Sequence, residues 1–495
     1  MTLARSAVAA RRGTVGHDLL WTSMVSVASG VALVLVTRLL ANGLGPDDFG
    51  AYAVAKRVLG ILGPIATLAM GIALARHVAI ADPSDTEIYL LAGMIVVVPI
   101  VVVLGIALLI GQQAASNVVG GRAYPGIAVA SVALLAGQTC YTVLYAYYRG
   151  ARRMARANVW QLGVGTLAPI VITATLARPG RVALVLVASA SVYLLALVPL
   201  AIHVKRALAR PIRARVMPRI KELVGYGLPR VPGAIALTAI FAAGPILAAQ
   251  VGTLRDSGHL VIGQSVFVVA EMLVAGVGIV LLPHAARLVH TGQGAFLRDR
   301  IGDIFALTMY LGAFLSLHLL VWADEIVDVW LGAEYAGLAP VFRILVLGLI
   351  PYAWYSVLRS IVDAIDVRAV NARNVLAASC LTVLGSAAAV AAGLGVIGLA
   401  AATTVGVTLL GVLTVTSLVR RQWFSTGAVG WRRWALLNGL AAGMALALKL
   451  SPSGPPPFVS LLAGAGIFVG YCLILRSSRV PCVTRLEALV ASRAS

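Results

Sequence analysis

The run Ile88-Tyr89-Leu90-Leu91-Ala92-Gly93-Met94-Ile95-Val96-Val97-Val98-Pro99-Ile100-Val101-Val102-Val103-Leu104-Gly105-Ile106-Ala107-Leu108-Leu109-Ile110-Gly111 contains no charged residue. About 20 largely apolar residues suffice for a helix to cross the hydrocarbon core, so this run reads as a membrane span. Similar stretches lie on both sides of it. Together they give fourteen candidates: 19–41, 51–74, 88–111, 124–148, 158–177, 182–203, 231–251, 259–283, 304–322, 338–358, 374–393, 396–419, 434–450 and 456–475. The pair 374–393 and 396–419 is broken only around Gly393-Leu394-Gly395, where glycine permits a tight turn.

Composition agrees. The 495 residues are 60% hydrophobic and 12% charged, with a mean hydropathy of +0.96, whereas a soluble domain carries about 25% charged residues. A soluble enzyme, a disordered scaffold and a disulfide-stapled secreted domain are excluded. Of the four cysteines, Cys140, Cys380 and Cys472 sit in apolar runs, and with Cys482 they show no metal or disulfide spacing. Arg5, Arg11 and Arg12 before an apolar run resemble a signal peptide, but the run is too long and further spans follow, so it reads as an uncleaved first helix. No connection is long enough for a folded soluble domain; the longest polar stretch is 204–230.

The net charge of +21 could suggest nucleic acid, but its placement points elsewhere. With the N-terminus inside, thirty of the 39 Lys and Arg fall in inner segments. They include Arg149, Arg152, Arg153 and Arg156 in one loop and Arg420, Arg421, Arg432 and Arg433 in another. The outer loops hold five: Arg122, Arg178, Arg181, Arg255 and Lys449. This is the positive-inside asymmetry. It places both termini in the cytoplasm and makes the charge a topology signal that also suits anionic lipid headgroups. No basic face interleaves with exposed aromatics, so no nucleic-acid partner is expected. The outer acidic stretch with Asp324, Glu325, Asp328 and Glu334 reads as a solvated loop.

An internal repeat is legible. Gly45-Pro46-Asp47-Asp48-Phe49-Gly50-Ala51-Tyr52 and the stretch from Gly252 to Leu260 each open the second helix of a half. Asn158-Val159 and Asn374-Val375 each open the fifth. Two six-helix halves in the same orientation follow, with two helices added at the end.

Three stretches resemble the polysaccharide-flippase branch of the multidrug/oligosaccharidyl-lipid/polysaccharide exporter superfamily. The first is Thr37-Arg38-Leu39-Leu40 followed by Gly45-Pro46-Asp47-Asp48-Phe49-Gly50-Ala51-Tyr52. The second is Trp330-Leu331-Gly332-Ala333-Glu334-Tyr335-Ala336-Gly337. The third is Gly393-Leu394-Gly395-Val396-Ile397-Gly398-Leu399-Ala400-Ala401. The resemblance implies two six-helix lobes around a central cavity, alternating access, and a polyprenyl-diphosphate-linked saccharide as cargo. Fourteen helices are more like the lipid II flippases of that superfamily, whereas many O-antigen-type flippases have twelve.

Chemistry-bearing motifs are few. There is no Gly-x-x-x-x-Gly-Lys-[Ser/Thr] loop, no His-Glu-x-x-His and no Cys-x-x-Cys, so no catalytic residue, metal or cofactor is expected. Four cations lie within spans: Arg38, Lys56, Arg57 and Arg343. Such charges usually face a cavity or a partner, although each of these lies near enough to the outer surface to snorkel. Together they are candidates to bind the diphosphate of an anionic cargo. Glu271, near the midpoint of span 259–283, must be paired or protonated, which makes it a structural pair or a cation-coupling site. Gly63-Pro64 and Gly244-Pro245 make Pro64 and Pro245 candidate hinges.

These readings give an all-α polytopic membrane protein of about fourteen transmembrane helices. Its parts are a cytoplasmic tail (1–18), an N-lobe (19–203), a basic linker (204–230), a C-lobe (231–419), two further helices (420–475) and a cytoplasmic tail (476–495). The expected function is translocation of a polyprenyl-diphosphate-linked oligosaccharide across the cytoplasmic membrane. Its partners would be lipid, and the polymerase and glycosyltransferases of the same route. The rivals are a cation-coupled multidrug exporter of the same fold, and a membrane-embedded glycan polymerase or ligase. The short outer loops disfavour the last.

Overall fold

The computed structural model describes residues 2–111, 124–209, 213–268, 270–271, 294–365, 370–424, 426–450 and 457–477. These residues are helical with short connections, and no strand occurs among them. Among the described residues ten helical segments are long and apolar enough to cross a membrane, and a bent pair, taken as one span, makes an eleventh. They correspond to the expected spans one to seven and nine to twelve. Most of span 259–283 lies outside the described residues. The last two expected spans are helical in Trp431–Lys449 and Pro457–Ser477. The count of fourteen stays an expectation.

The described residues form two compact units, 1–258 and 259–495. The first contains α1 (Thr2–Leu44), α2 (Pro46–Thr67), α3 (Met70–Ile80), α4 (Thr86–Ile110), α5 (Ile127–Gly150) and α6 (Met154–Leu162). It continues with α7 (Ala168–Leu176), α8 (Val182–Leu194), α9 (Leu197–Leu208), α10 (Arg213–Gly227) and α11 (Val231–Val251), and ends within α12 (Leu254–Gly263). A core within it buries Met70, Leu74, Leu90, Leu144, Tyr147 and Leu223. The run that opens the sequence argument forms α4. It buries Leu90, Leu91 and Val97 inside the unit and leaves Val98, Val102, Val103, Ile106 and Ile110 exposed. An exposed apolar face of this kind suits contact with lipid.

Two local features depart from the expected map. The stretch read as a linker, 204–230, is mostly helical: α10 packs on α3 and α4 because Val216, Ile220 and Leu223 recur at helical spacing. The second span is two helices. Pro64 has no N–H to bond the Gly60 carbonyl, and α2 ends four residues later at Leu68 and Ala69, both in the left-handed region (φ 46° and 55°). By contrast α11 runs through Pro245 as one helix.

The Gly-Pro-Asp-Asp loop is explained by its contacts. Pro46 starts α2, where its missing N–H costs nothing. The Asp48 carboxylate accepts from the Tyr124 hydroxyl (3.1 Å) and the Gly180 N–H (2.6 Å). Gly50 packs on the α12 backbone so closely that a Cβ would lie 1.9 Å from the Leu254 carbonyl oxygen. Gly258 packs in turn on Phe49, so Gly50 and Gly258, one from each of the two repeated stretches, meet at one helix crossing.

The second unit contains α13 (Gly294–Val321), α14 (Ala323–Leu331), α15 (Leu338–Val346), α16 (Leu349–Ile365), α17 (Val370–Ala391), α18 (Gly395–Val419), α19 (Trp431–Lys449) and α20 (Pro457–Ser477). Its core is built on Ile301, Phe305, Tyr310, Phe314, Leu358 and Leu418. The expected span 338–358 is α15 and α16, bent by 47°. The added helices are integral to this unit: the Trp434 indole N–H donates to the Met309 carbonyl (3.0 Å), and the Tyr471 hydroxyl donates to that of Tyr310 (3.1 Å).

Candidate functional site

Helix α2 presents Tyr52, Lys56, Gly60, Gly63 and Thr67 along one stripe, because positions three and four apart share a helix face. Two cavities of the first unit lie along that stripe. One, of about 290 Å³, is lined by Tyr52 and Lys56 together with Ser29, Thr166, Ser189 and Tyr193. The other, of about 460 Å³, is lined by Gly60, Gly63 and Thr67 together with Gln138, Tyr141 and Tyr193. Tyr193 borders both. Among the described residues no carboxylate lines either one.

The wall of the smaller cavity is held by a hydrogen-bonded chain. Asn158 Nδ2 donates to Thr22 Oγ1 (3.1 Å), Gln161 Nε2 donates to Ser29 Oγ (3.2 Å), and Tyr145 Oη donates to Gln161 Oε1 (2.7 Å). Ser29 and Thr166 share a further hydrogen bond at 2.8 Å. These bonds fix α1 against α6 and α5. Between α6 and α7, Gly163–Leu167 forms a π-helical turn, a feature that re-aims backbone and often marks a functional site.

The structure separates the four candidate cations. Lys56 is half-buried, lines the smaller cavity, and has no hydrogen-bond or ion-pair partner among the described residues. Arg57 is also half-buried but lies about 100° further round α2 and is not among the cavity-lining residues. Arg38 is exposed, on the face of α1 opposite Ser29, Leu33 and Val36, which line the cavity. Arg343 donates to the Asp324 carboxylate (2.5 Å).

Lys449 joins that pair, 3.2 Å from Asp324 and 3.2 Å from Glu325. Burial alone would raise the Asp324 pKa; the hydrogen bonds and charges of Arg343 and Lys449 outweigh it and hold the carboxyl below its ordinary value. The acidic stretch is thus a helix rather than a solvated loop, since Ala323, Val327 and Leu331 recur every four residues and are buried.

Glu271 accepts from Arg359 (2.9 Å) and from the Tyr352 hydroxyl (3.2 Å). Arg359 lies one residue beyond the expected span 338–358, but α16 continues to Ile365 and carries it as a partner for Glu271. The aromatic and amide lining of the cavities lies outside the expected site residues, which are mostly charged. Its signal is present: Gln138, Tyr141, Thr142 and Tyr145 repeat at helical spacing within an otherwise apolar span. Among the described residues no cluster of His, Cys, Asp and Glu could hold a metal ion.

The polysaccharide biosynthesis protein family matches residues 15–289, more than half of the chain. The chain belongs to that family. Its fold is also that of solved transporter structures. A structure of the lipid II flippase MurJ in an inward closed conformation aligns over 92% of this chain and 99% of its own, with a TM-score of 0.71 at 13% identity. An inward-facing multidrug resistance MATE family transporter aligns over 81% of this chain and 98% of its own, with a TM-score of 0.65 at 14% identity. Among curated proteins, none matches the sequence. The protein is a multi-pass membrane protein with the fold of flippases and exporters.

Proposed function

We propose that this protein flips a polyprenyl-diphosphate-linked oligosaccharide across the cytoplasmic membrane, with both termini in the cytoplasm, and that Lys56 contacts the diphosphate. The supporting observation is Lys56 itself, a half-buried ammonium without a partner among the described residues, on a cavity with no carboxylate among its described lining residues. A charge so placed is costly unless an anion meets it. At an effective dielectric of 20, one such contact at 4 Å is worth about 4 kcal/mol before desolvation. The saccharide crosses through the polar interior while the polyprenyl tail stays in lipid, and no bond is made or broken. Arg38 and Arg343 are left out of the site, the first by its direction and the second by its ion pair. The rival cation exporter would want a carboxylate at the site, whereas Glu271 is engaged by Arg359.

Lys56→Met separates function from structure. It keeps the length of the side chain and removes an unpaired charge, so protein level and melting temperature should be unchanged or higher. Export of lipid-linked saccharide, read by mass spectrometry of inner and outer pools, should fall at least tenfold. Wild-type export by Lys56→Met would remove Lys56 from the site.

A further inference from the structure

The larger cavity has a different chemistry from the smaller one. None of its described lining residues carries a charge. Its polar groups are neutral donors and acceptors: the amide of Gln138, the hydroxyls of Thr67, Thr139 and Thr142, and two phenols, Tyr141 and Tyr193. Among the described residues the Tyr141 hydroxyl makes no hydrogen bond; Thr139 Oγ1 makes none either, but it is enclosed, the residue being 2% exposed. Thr67 and Thr142 donate back to carbonyls of their own helices, at 2.9 and 2.8 Å, which leaves oxygen lone pairs able to accept. Tyr141 is stacked on Tyr145 at 5.8 Å between centroids and meets the edge of Tyr193 at 5.4 Å.

Lone-pair acceptors, an amide and a braced aromatic ring, all uncharged, are what a ligand rich in hydroxyls and C–H faces requires. An anion would find no cation among the described lining residues, and a hydrocarbon would leave the Tyr141 hydroxyl unsatisfied. The volume, about 460 Å³, is within the usual range for a bound small molecule and suits one or two sugar rings. The room exists because α2 ends at Thr67 and the chain turns through Leu68 and Ala69 before α3, so that Ala69 and Gly71 border the cavity in place of continued helix.

We infer that this cavity is a saccharide subsite, holding the neutral sugar next to the diphosphate, with Tyr141 and Gln138 as its principal contacts. Lys56 and Gly63 are seven residues apart on α2, about 10 Å, a span suited to a diphosphate and the first sugar. The inference rests on the proposed flippase reading, and the test keeps the two apart.

Purified full-length protein in nanodiscs is titrated with two lipids: the lipid-linked oligosaccharide isolated from the host, and bare polyprenyl diphosphate. The saccharide lipid should bind the wild-type protein at least tenfold more tightly than the bare lipid. Tyr141→Leu and Gln138→Leu should bring that ratio to within about twofold of unity without changing the affinity for the bare lipid. Tyr141→Phe, which keeps the ring, should retain part of the preference, and a melting curve of each variant verifies folding. If the wild-type protein binds both lipids equally, or the folded variants keep the full preference, the subsite is wrong and the diphosphate reading stands. If neither lipid binds, the flippase reading falls and takes the subsite with it.

Discussion

At Glu271 the carboxylate and the Arg359 guanidinium are 2.9 Å apart, with side chains 38% and 37% exposed. Removing one member of a fully buried pair costs about 3–5 kcal/mol, because the other is left uncompensated; exposure on this scale reduces that figure. Glu271→Gln should therefore lower the melting temperature and protein level. The double variant Glu271→Gln, Arg359→Gln should recover part of the loss, since neither charge is then stranded. Recovery of level with transport still absent would point to coupling at Glu271; recovery of both would make it a structural pair. The sequence shows why Glu271 needs a partner but not which one. Burial of a carboxylate follows from hydropathy, whereas the choice of Arg359 depends on where α16 ends, and helix ends are the least legible feature of a sequence. Lys56 and Arg57 illustrate the same limit. They are adjacent, equally charged and half-buried, and only the packing of α1 and α8 decides which one a cavity receives.

The break between α2 and α3 shows how one element holds another. Leu68 and Ala69 occupy left-handed conformations that cost about 1–2 kcal/mol each for residues other than glycine, so neighbouring contacts must hold them. Helix α10 supplies such contacts. Its Arg219 reaches Asp85 at 2.7 Å and Glu222 at 2.8 Å, and Glu222 also accepts from Tyr89. The Tyr226 ring lies beneath Arg230 at 3.6 Å and Arg76 at 4.7 Å. At its C-terminal end Gly227 sits on the break itself, where a Cβ would lie 2.3 Å from the Leu68 carbonyl oxygen. Gly227→Val should push α10 off the break. Amide hydrogen exchange at residues 65–72 and 216–227 should then rise severalfold, with a lower melting temperature. Gly225→Ala is the control, since nothing lies within 4 Å of its added methyl. Unchanged exchange in Gly227→Val would show that α10 does not restrain the break.

For the molecule as a whole, the spans were legible because lipid demands long apolar runs, and their order follows from the chain. Which side each loop occupies rests on charge, and contacts within each unit test its parity. Asp48 bonds Gly180, and four expected spans separate them. Arg219 bonds Asp85, again with four spans between. Lys449 meets Asp324 and Glu325, with the expected spans ten to thirteen between. An even number of crossings is what a contact on one side requires, so a miscounted helix inside any of these intervals would pull its pair to opposite faces. Parity fixes each loop relative to its neighbours but not the sign, which the excess of Lys and Arg alone provides. Reporter fusions decide the sign. A periplasm-active reporter after Lys449 should be active and one after Arg476 inactive, while a reporter in 204–230, which shares the side of Asp85, should also be inactive. Inversion of all three would overturn the charge argument and leave the helix count intact. Inversion of the Arg476 fusion alone would remove the last span and leave the orientation of the other helices unchanged.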